Sequence, residues 1–301
     1  MTTENILIVG TGALGTLFAA RLSQAGHNVT MLGTWQEGIN ALRKDGARII
    51  NANGVEHRFK VHATSDPREC VGAKNALVLV KAWQTERAAR QLLDCLADTG
   101  LALTLQNGLG NYETLSLSLG LPRVALGSST TGATLLSAGL VRAGGEGVIS
   151  IERKQALGPM EAALMSAVFN VHTVEDARSV VWGKLVVNAA INPLTALLRV
   201  PNGELLNRPS AREMMSRLAQ EVAQVAFSER VKLPFTDPVA AVEEVAHKTS
   251  ANQSSMLQDV LRNAPTEIDA ICGAVTRLGE KHNVATPFNW MCWQLVKGLR
   301  I

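Results

Sequence analysis

Apolar and polar positions follow different patterns in the two halves of the chain. In the first half, short apolar runs alternate with stretches of helical spacing. The run at residues 6–9 ends at Gly10, which is typical of a buried parallel strand. A helix is expected from about Leu14 to Ala25, because Gly26 follows as a common C-terminal cap. Residues 28–32 predict the second strand.

The same alternation continues along the first half. Apolar runs predict strands at residues 76–80 and 101–105, with a helix over about 85–97 between them. Strand, helix and strand in succession favour right-handed crossovers and a parallel sheet. Residues 124–151 are rich in Gly, Ser and Thr with β-like patches. We expect them to supply extra strands that close the domain edge.

The second half is expected to be helical throughout. From about Ser179 one helical stretch follows another. The expected breaks lie at prolines, namely Pro201, Pro209, Pro234, Pro238, Pro265 and Pro287. A chain of 301 residues is long enough for two domains. We therefore place the boundary near residue 175, with domains at 1–175 and 176–301.

A glycine-rich turn stands between the first strand and the first helix. Its sequence fits G-x-G-x-x-G and reads Gly10-Thr11-Gly12-Ala13-Leu14-Gly15. Glycines permit the tight turn, the close approach of a pyrophosphate and the packing of helix on strand, while the helix N-terminus favours phosphate. This context favours a dinucleotide site over an ordinary tight turn. The fold class is thus α/β, with an N-terminal Rossmann-type doubly wound sheet, a dinucleotide-binding domain, and an all-helical C-terminal substrate and catalytic domain. The active site is expected in the cleft between them.

The end of the second strand bears on the choice of nucleotide. NAD sites usually carry Asp or Glu there, to bind the ribose 2′-hydroxyl. Here the sequence is Met31-Leu32-Gly33-Thr34, without an acid and also without an arginine. The missing acid favours NADPH, and the missing arginine indicates only modest discrimination against NADH.

A polar stripe runs along an otherwise apolar helix expected at 180–198. Lys184, Asn188 and Asn192 recur at every fourth position and share one face. Burying them costs several kcal/mol unless they find partners, which a cleft with a polar ligand would supply. Alternatively, Lys184 reaches the surface and the amides bond to neighbouring backbone. Pro193 is expected to bend this helix.

Further polar clusters lie at residues 252–259 and 266–269. Ser254 and Ser255 are possible helix caps. Thr266 could also cap a helix, with acidic residues in the first turn that interact favourably with the helix dipole. This structural explanation accounts better for Asp269 than for Glu267. Two loops, 81–84 and 106–108, follow predicted strands, where ligands bind in open α/β sheets. Asn107-Gly108 is also an ordinary turn signal.

Composition excludes several classes of function. The net charge is +3 and basic residues are scattered, so nucleic acid is not an expected partner. The four cysteines lack C-x-x-C spacing, and the histidines lack H-E-x-x-H, so we expect no metal site and no disulfide framework. The N-terminal residues 1–5 lack a basic region, and Lys184 interrupts the longest apolar stretch, so neither a leader nor a membrane span is expected. A cytoplasmic location, and a monomer or homodimer, are the remaining expectations.

Together these motifs resemble the ketopantoate reductase (2-dehydropantoate 2-reductase) family, over nearly the whole chain. The glycine turn is joined, in order, by Lys81-Ala82-Trp83-Gln84, Gln106-Asn107-Gly108, Trp182-Gly183-Lys184-Leu185, Asn188, Asn192-Pro193-Leu194-Thr195-Ala196, Pro201-Asn202-Gly203-Glu204-Leu205, Ser254-Ser255-Met256-Leu257-Gln258-Asp259 and Thr266-Glu267-Ile268-Asp269.

The resemblance implies reduction of ketopantoate to pantoate with NADPH, a step toward pantothenate and coenzyme A. It implies Lys184 as general acid with Glu267 as its partner. It implies substrate contacts from Asn107, Lys184, Asn188, Asn192, Asn202 and Ser255, and cofactor contacts from Gly10, Thr11, Gly12, Ala13, Leu14, Gly15, Lys81 and Asn107. Two residues depart from the family pattern. Gly33 stands at a position that is often basic in the family, and Cys272 stands at one that is often Asn.

Two other functions remain open. One is reduction of another branched 2-keto acid on the same scaffold. The other is a non-catalytic dinucleotide sensor, which ranks lower because Lys184, Glu267 and Asn107 are all present.

Overall fold

The computed structural model describes residues 3–51 and 53–299. Met1 and Thr2 lie outside these ranges. They belong to the N-terminal stretch from which the sequence analysis expects no leader. The chain divides into two compact units. Unit 1 comprises residues 1–106 and 111–177, and unit 2 comprises residues 107–110 and 178–301. The short segment Asn107–Gly110 therefore groups with the second unit, although its chain neighbours belong to the first.

Unit 1 contains strands and helices in alternation. Its strands are β1 (Asn5–Val9), β2 (Asn28–Leu32), β3 (Ala47–Ile50), β4 (Glu56–Phe59), β5 (His62–Thr64), β6 (Ala73–Val78), β7 (Leu96–Thr104), β8 (Val124–Ser129), β9 (Ala133–Ser137), β10 (Leu140–Ala143), β11 (Val148–Glu152) and β12 (Asn170–Val174). Its helices are α1 (Ala13–Gln24), α2 (Gln36–Asp45), α3 (Thr85–Cys95), α4 (Asn111–Leu119) and α5 (Gly158–Ser166).

The main sheet of unit 1 has eight strands among the described residues, in the order β12-β11-β8-β7-β6-β1-β2-β5. The pairs from β5 to β8 are parallel. Ile6 and Ile8 of β1 belong to one buried cluster and Leu7 and Val9 to another, so side chains on both faces of the strand are covered. This two-sided burial explains the uninterrupted apolar run.

The structure corrects some expected strands. Residues 124–151 do not simply close the domain edge, because β9 and β10 join β3 and β4 in a separate four-stranded sheet. One edge of the main sheet is β12 and the other is β5, and β11 pairs antiparallel with β8. The helix expected to reach residue 97 ends at Cys95, since Leu96 already has extended backbone and begins β7.

Unit 2 is helical. Its helices are α6 (Ala177–Leu198, which begins at the last residue of unit 1), α7 (Pro209–Ser228), α8 (Pro238–Lys248), α9 (Ser255–Leu261), α10 (Cys272–His282) and α11 (Pro287–Gly298). They enclose one apolar cluster that includes Trp182 and Leu185. These features confirm the fold class expected from the sequence. Helix α6 continues through Pro193, and the bend expected there stays a prediction.

Helix α6 is long and apolar enough to cross a membrane by length and composition alone. Lys184 does not by itself exclude such a helix, and the expectation of no membrane span stays a prediction. However, 67% of the relevant window is buried inside the protein. That burial is typical of a helix in a protein core.

Candidate active site

The glycine loop of unit 1 is tightly packed at its two ends. Gly10 has φ +131°, and a Cβ there would lie 3.0 Å from the carbonyl carbon of Leu79. A Cβ on Gly15 would lie 2.1 Å from the Gly10 oxygen. Both positions therefore exclude a side chain, the first by backbone conformation and the second by close packing of α1 against the turn.

The middle glycine differs, because it borders open space. Gly12 is the N-cap of α1, and no atom lies within 4 Å of a Cβ built on it. No side chain caps this helix end, so its first N–H groups are available in the geometry that binds phosphate. Tight packing at both ends and open space in the middle fit the pyrophosphate of a dinucleotide.

Two loops at the carboxyl ends of β6 and β7 are tied together by Gln106. Its side-chain amide donates to the Val80 carbonyl at 3.0 Å and to the Thr85 hydroxyl at 2.8 Å. The Thr85 hydroxyl also lies 2.7 Å from Asn111 Oδ1. Lys81 lies within the loop held this way, as N-cap of a short 3-10 helix. Sequence reasoning did not single out Thr85 or Asn111, whose polarity at helix starts was the available signal.

In unit 2, the segment 107–110 is docked on the turn that follows Thr266. The Leu109 N–H donates to the Ala270 carbonyl at 2.9 Å. Gly108 has φ +79°, and a Cβ there would lie 2.4 Å from the same oxygen. The chain bends at the Asn-Gly pair, and the glycine is also required by contact with a segment about 160 residues away in sequence.

The turn from Thr266 to Ile271 is not the start of a helix. Helix α10 begins at Cys272 with Ile271 as N-cap, so the alternative in which Thr266 caps a helix is wrong. Ser254 does cap α9, by accepting from the Leu257 N–H at 3.0 Å. Local backbone hydrogen bonds form the 266–271 turn instead, among them those from the Ala270 and Ile271 N–H groups to the Glu267 carbonyl at 3.0 and 3.1 Å.

Asn107, Glu267 and Lys184 form a charged cluster in unit 2. Asn107 Nδ2 donates to Glu267 Oε2 at 3.1 Å, and Glu267 is 6% exposed. Burial lowers the pKa of Lys184 to about 8, while the nearby Glu267 carboxylate opposes this shift. A lysine in this environment holds a proton at neutral pH and can release it, as a general acid must.

A second contact of this turn involves Asp269 and Trp293. The Trp293 Nε1 donates to Asp269 Oδ1 at 2.8 Å, and Arg277 donates to the Asp269 carbonyl at 2.8 Å. The Arg277 guanidinium and the Lys297 amine lie 5.5 and 5.4 Å from the Trp293 ring centroid. Asp269 thus anchors the turn that carries Glu267, a role that the sequence did not reveal.

The polar stripe on α6 lies on one helix, as its spacing predicted. Lys184 and Asn188 are partly buried and Asn192 is 6% exposed. Cys272 is fully buried, and its Sγ lies 3.9 Å from the Ala189 carbonyl, beside the stripe. Burial raises the pKa of this thiol well above its ordinary value, so Cys272 is a neutral packing residue between α10 and α6.

The remaining predicted substrate ligands have distinct surroundings. Ser255 is exposed at the first turn of α9. Asn202 is 8% exposed, and its Nδ2 donates to the Thr249 hydroxyl at 2.9 Å. Its Oδ1 is enclosed by protein without a hydrogen-bond partner. A substrate role for Asn202 therefore stays a prediction that needs local movement to expose this oxygen.

Comparisons with known proteins agree with these features. The family model "Ketopantoate reductase PanE/ApbA" matches residues 6–155, and the model of its C-terminal domain matches residues 176–300. A curated 2-dehydropantoate 2-reductase from Archaeoglobus fulgidus is 36% identical, over 99% of each chain.

Solved structures are similar over the same extent. The crystal structure of a PanE/ApbA family ketopantoate reductase from Ralstonia eutropha has a TM-score of 0.91 at 31% identity, covering 98% of both chains. The ternary structure of D-mandelate dehydrogenase with NADH and anilino(oxo)acetate has a TM-score of 0.91 at 26% identity, also over 98% of both chains. With family models over most of its length and a relative above 30% identity, the chain belongs to the ketopantoate reductase family.

Proposed function

We propose that this protein reduces 2-dehydropantoate (ketopantoate) to pantoate, with NADPH as hydride source, in pantothenate and coenzyme A biosynthesis. Family membership supports the reaction class. The observation that carries the proposal is the cluster of Lys184, Glu267 and Asn107, in which a lysine with a pKa of about 8 lies near a buried carboxylate. This is the arrangement needed to protonate an oxygen at neutral pH.

Lys184 is the proposed general acid. When bound, the reduced nicotinamide supplies a hydride to the keto carbon, and the substrate oxygen then requires a proton. The Lys184 ammonium donates it, and its positive charge stabilises the developing negative charge on that oxygen. Since burial lowers the pKa of this lysine to about 8, the proton is less strongly held than on an ordinary lysine.

Glu267 is the proposed partner of Lys184. Its carboxylate raises the pKa of the amine against the effect of burial and so keeps it charged enough to donate. Asn107, through its 3.1 Å bond to Glu267 Oε2, orients the carboxylate. Asn107 is also proposed to contact both substrate and cofactor, while Asn188, Asn192, Asn202 and Ser255 are proposed to bind the substrate's polar groups.

The glycine loop is the proposed phosphate site. Gly10, Thr11, Gly12, Ala13, Leu14 and Gly15 supply backbone to the pyrophosphate, with Lys81 as a further cofactor contact. The absence of an acid at the end of β2 supports NADPH over NADH. The absence of a basic residue at Gly33 supports modest discrimination.

A second candidate is reduction of another branched 2-keto acid. It is favoured by the similarity to D-mandelate dehydrogenase, whose structure is named with NADH and anilino(oxo)acetate, a carboxylate with a carbonyl group beside it. Cys272 beside the α6 stripe also differs from the usual family residue. A hydrogen-bonding site for a substrate hydroxyl rejects analogues that lack it by large factors. Substrate choice is therefore measurable by comparing hydroxylated and plain 2-keto acids.

The test is a cofactor-absorbance assay on the purified protein. Ketopantoate, the plain analogue 3,3-dimethyl-2-oxobutanoate and phenylglyoxylate are each offered with NADPH and with NADH. The highest kcat/KM is expected for ketopantoate with NADPH. Higher kcat/KM for phenylglyoxylate or the plain analogue would establish the second candidate instead. Equal or higher turnover with NADH would overturn the cofactor preference alone.

A further inference from the structure

Two buried hydroxyl groups join helix α6 to the start of α9. Thr195 is fully buried on α6, and its Oγ1 lies 2.7 Å from the Oγ of Ser254, which is 6% exposed. Thr195 follows Asn192 by three residues, so both belong to one turn of the helix. Ser254 immediately precedes Ser255 in the chain. The contact therefore places the backbone that carries Ser255 against the turn of α6 that carries Asn192.

The hydrogen bonds at this contact run in one direction. The Leu257 N–H donates to Ser254 Oγ at 3.0 Å, and the Thr195 hydroxyl donates to the Asn192 carbonyl at 2.9 Å. A hydroxyl has a single hydrogen. Since that of Thr195 goes to the carbonyl, Ser254 is the donor to Thr195. We call the series from the Leu257 N–H through both hydroxyls to the Asn192 carbonyl the hydroxyl chain; each hydroxyl in it donates and accepts, which strengthens the bonds on either side.

The segment before α9 is also fixed at a second place, by the loop that follows α6. The Asn202 N–H donates to the Asn252 carbonyl at 3.0 Å, and the Gly203 N–H donates to the Ser250 carbonyl at 3.1 Å. A Cβ built on Gly203 would lie 2.5 Å from the Ser250 Cβ, so the two backbones are in close contact. The segment is thus held on one side by the loop that carries Asn202 and on the other by the hydroxyl chain.

We propose that Thr195 is a positioning residue for substrate binding, because the hydroxyl chain holds the backbone that carries Ser255 in place against the turn that carries Asn192. This rests on the proposed function, in which both of those residues bind polar groups of the keto acid, and deepens it. Thr195 and Ser254 act through their neighbours and do not touch the substrate. Lys184 lies eight residues before Asn192, about 12 Å along the helix axis. The hydroxyl chain therefore sets the affinity for the substrate and leaves proton donation intact.

The experiment compares two substitutions at position 195 with one at position 254. Thr195→Val keeps the shape of the side chain and removes the hydroxyl, whereas Thr195→Ser keeps the hydroxyl and removes a methyl group. Ser254→Ala breaks the hydroxyl chain from the other end, and it is also combined with Thr195→Val. Thr276→Val is the matched control, because this buried threonine donates to the Cys272 carbonyl of its own helix at 3.0 Å.

Three properties are measured for each variant. Steady-state kinetics at saturating NADPH give KM and kcat for ketopantoate, or for the 2-keto acid that the unaltered protein reduces best. Thermal unfolding gives Tm. Amide hydrogen exchange of the protein without ligands, followed at the Leu257 N–H, reports whether its bond to Ser254 persists.

Thr195→Val and Ser254→Ala are each expected to raise KM about 10-fold, the effect of misplacing hydrogen bonds to a charged substrate. Their kcat should change less than about threefold, as for a loss of uniform binding. The double variant should match the single variants, because either substitution breaks the same chain. Thr195→Ser should lower Tm by leaving a cavity, yet it and Thr276→Val should keep KM within about twofold. Exchange at Leu257 should be faster in Thr195→Val than in Thr195→Ser.

Three outcomes overturn the proposal. Equal rises of KM in Thr195→Val and Thr195→Ser, in step with Tm, show that position 195 contributes packing alone. An unchanged KM in Ser254→Ala shows that the hydroxyl chain does not position the substrate ligands. Additive rises of KM in the double variant show that the two hydroxyls act separately. If Thr195→Val does not fold, Ser254→Ala and Thr195→Ser decide by the same criteria.

Failure of the proposed function appears differently. The unaltered protein then reduces none of the 2-keto acids, while exchange at Leu257 still reports whether the hydroxyl chain is formed.

Discussion

The glycine loop of unit 1 and the Lys184 cluster of unit 2 achieve their chemistry in opposite ways. The loop consists of consecutive residues and offers backbone groups to the proposed phosphate. Its ability to bind therefore depends on the absence of side chains at Gly10, Gly12 and Gly15. The cluster joins Asn107, Lys184 and Glu267, which are far apart in sequence, and depends on burial and charge. The difference teaches that a binding site can be local while a proton donor has to be assembled by the fold.

The largest expected effect is at the assembled site. Lys184→Ala removes the proposed proton donor and should lower kcat at least about 10²-fold, while Kd for NADPH stays within a few-fold. Steady-state kinetics and a separate cofactor titration measure the two quantities. Lys232→Ala, at an exposed lysine of the same unit, is the matched control. Near-normal kcat in Lys184→Ala, with the protein folded, would remove the assignment.

Glu267→Ala extends this test to the pair. Its loss of kcat should be non-additive with that of Lys184→Ala, because the two groups act as a unit. Additive losses in the double variant would mean that the two residues act independently. Thermal unfolding of each variant separates loss of activity from loss of folding.

The next effect sharpens the contrast within the local site. Gly15→Ala places a Cβ 2.1 Å from the Gly10 oxygen and should lower the free energy of unfolding by about 1–3 kcal/mol through overpacking. Gly12→Ala points into open space and should cost less than about 1 kcal/mol, yet weaken NADPH binding at least about 10-fold. Chemical denaturation and nucleotide titration give the two values. A Gly12→Ala protein with unchanged affinity would contradict the proposed phosphate site.

The next effect concerns the pH dependence of the rate, which is set by the pKa of Lys184 and by the Glu267 carboxylate near it. The protonated form of Lys184 is the active form in reduction, so the rate should be highest below its pKa of about 8 and fall as pH rises above it. Glu267→Gln removes the carboxylate that raises this pKa, so the falling limb should move to lower pH. The pH profile of kcat for both proteins is the measurement. If the fall in kcat occurs at the same pH in Glu267→Gln as in the unaltered protein, or at a higher pH, the proposed effect of Glu267 on the pKa of Lys184 is wrong.

The smallest effect concerns the support of the turn. Trp293→Phe removes the donor to Asp269 Oδ1 and should lower the free energy of unfolding by roughly 0.5–1.5 kcal/mol. A modest fall in kcat with unchanged Kd for NADPH is expected, because the anchored turn carries Glu267. Trp290→Phe, at an exposed tryptophan of the same helix, is the control. Equal effects of the two substitutions would show that the Asp269 contact does not matter.

Much of the fold followed from local pattern. The alternation of apolar runs predicted β1, β2 and their connecting helix closely, and the helical character of unit 2 was also confirmed. Strands β9 and β10 were recognised as extended, but their separation into a second sheet was not. Alternation reports which faces are buried, whereas strand partners depend on where loops return the chain.

The candidate site divides in the same way. The sequence by itself determined the glycine turn, since each requirement there concerns backbone within six residues, and it determined that Lys184, Asn188 and Asn192 share a helix face. Only the tertiary structure decided that Thr266 begins a turn and not a helix, that Asn107 donates to Glu267, and that the Thr195 and Ser254 hydroxyls meet. These contacts join residues distant in sequence through side-chain rotamers and close packing, and local periodicity carries no information about either.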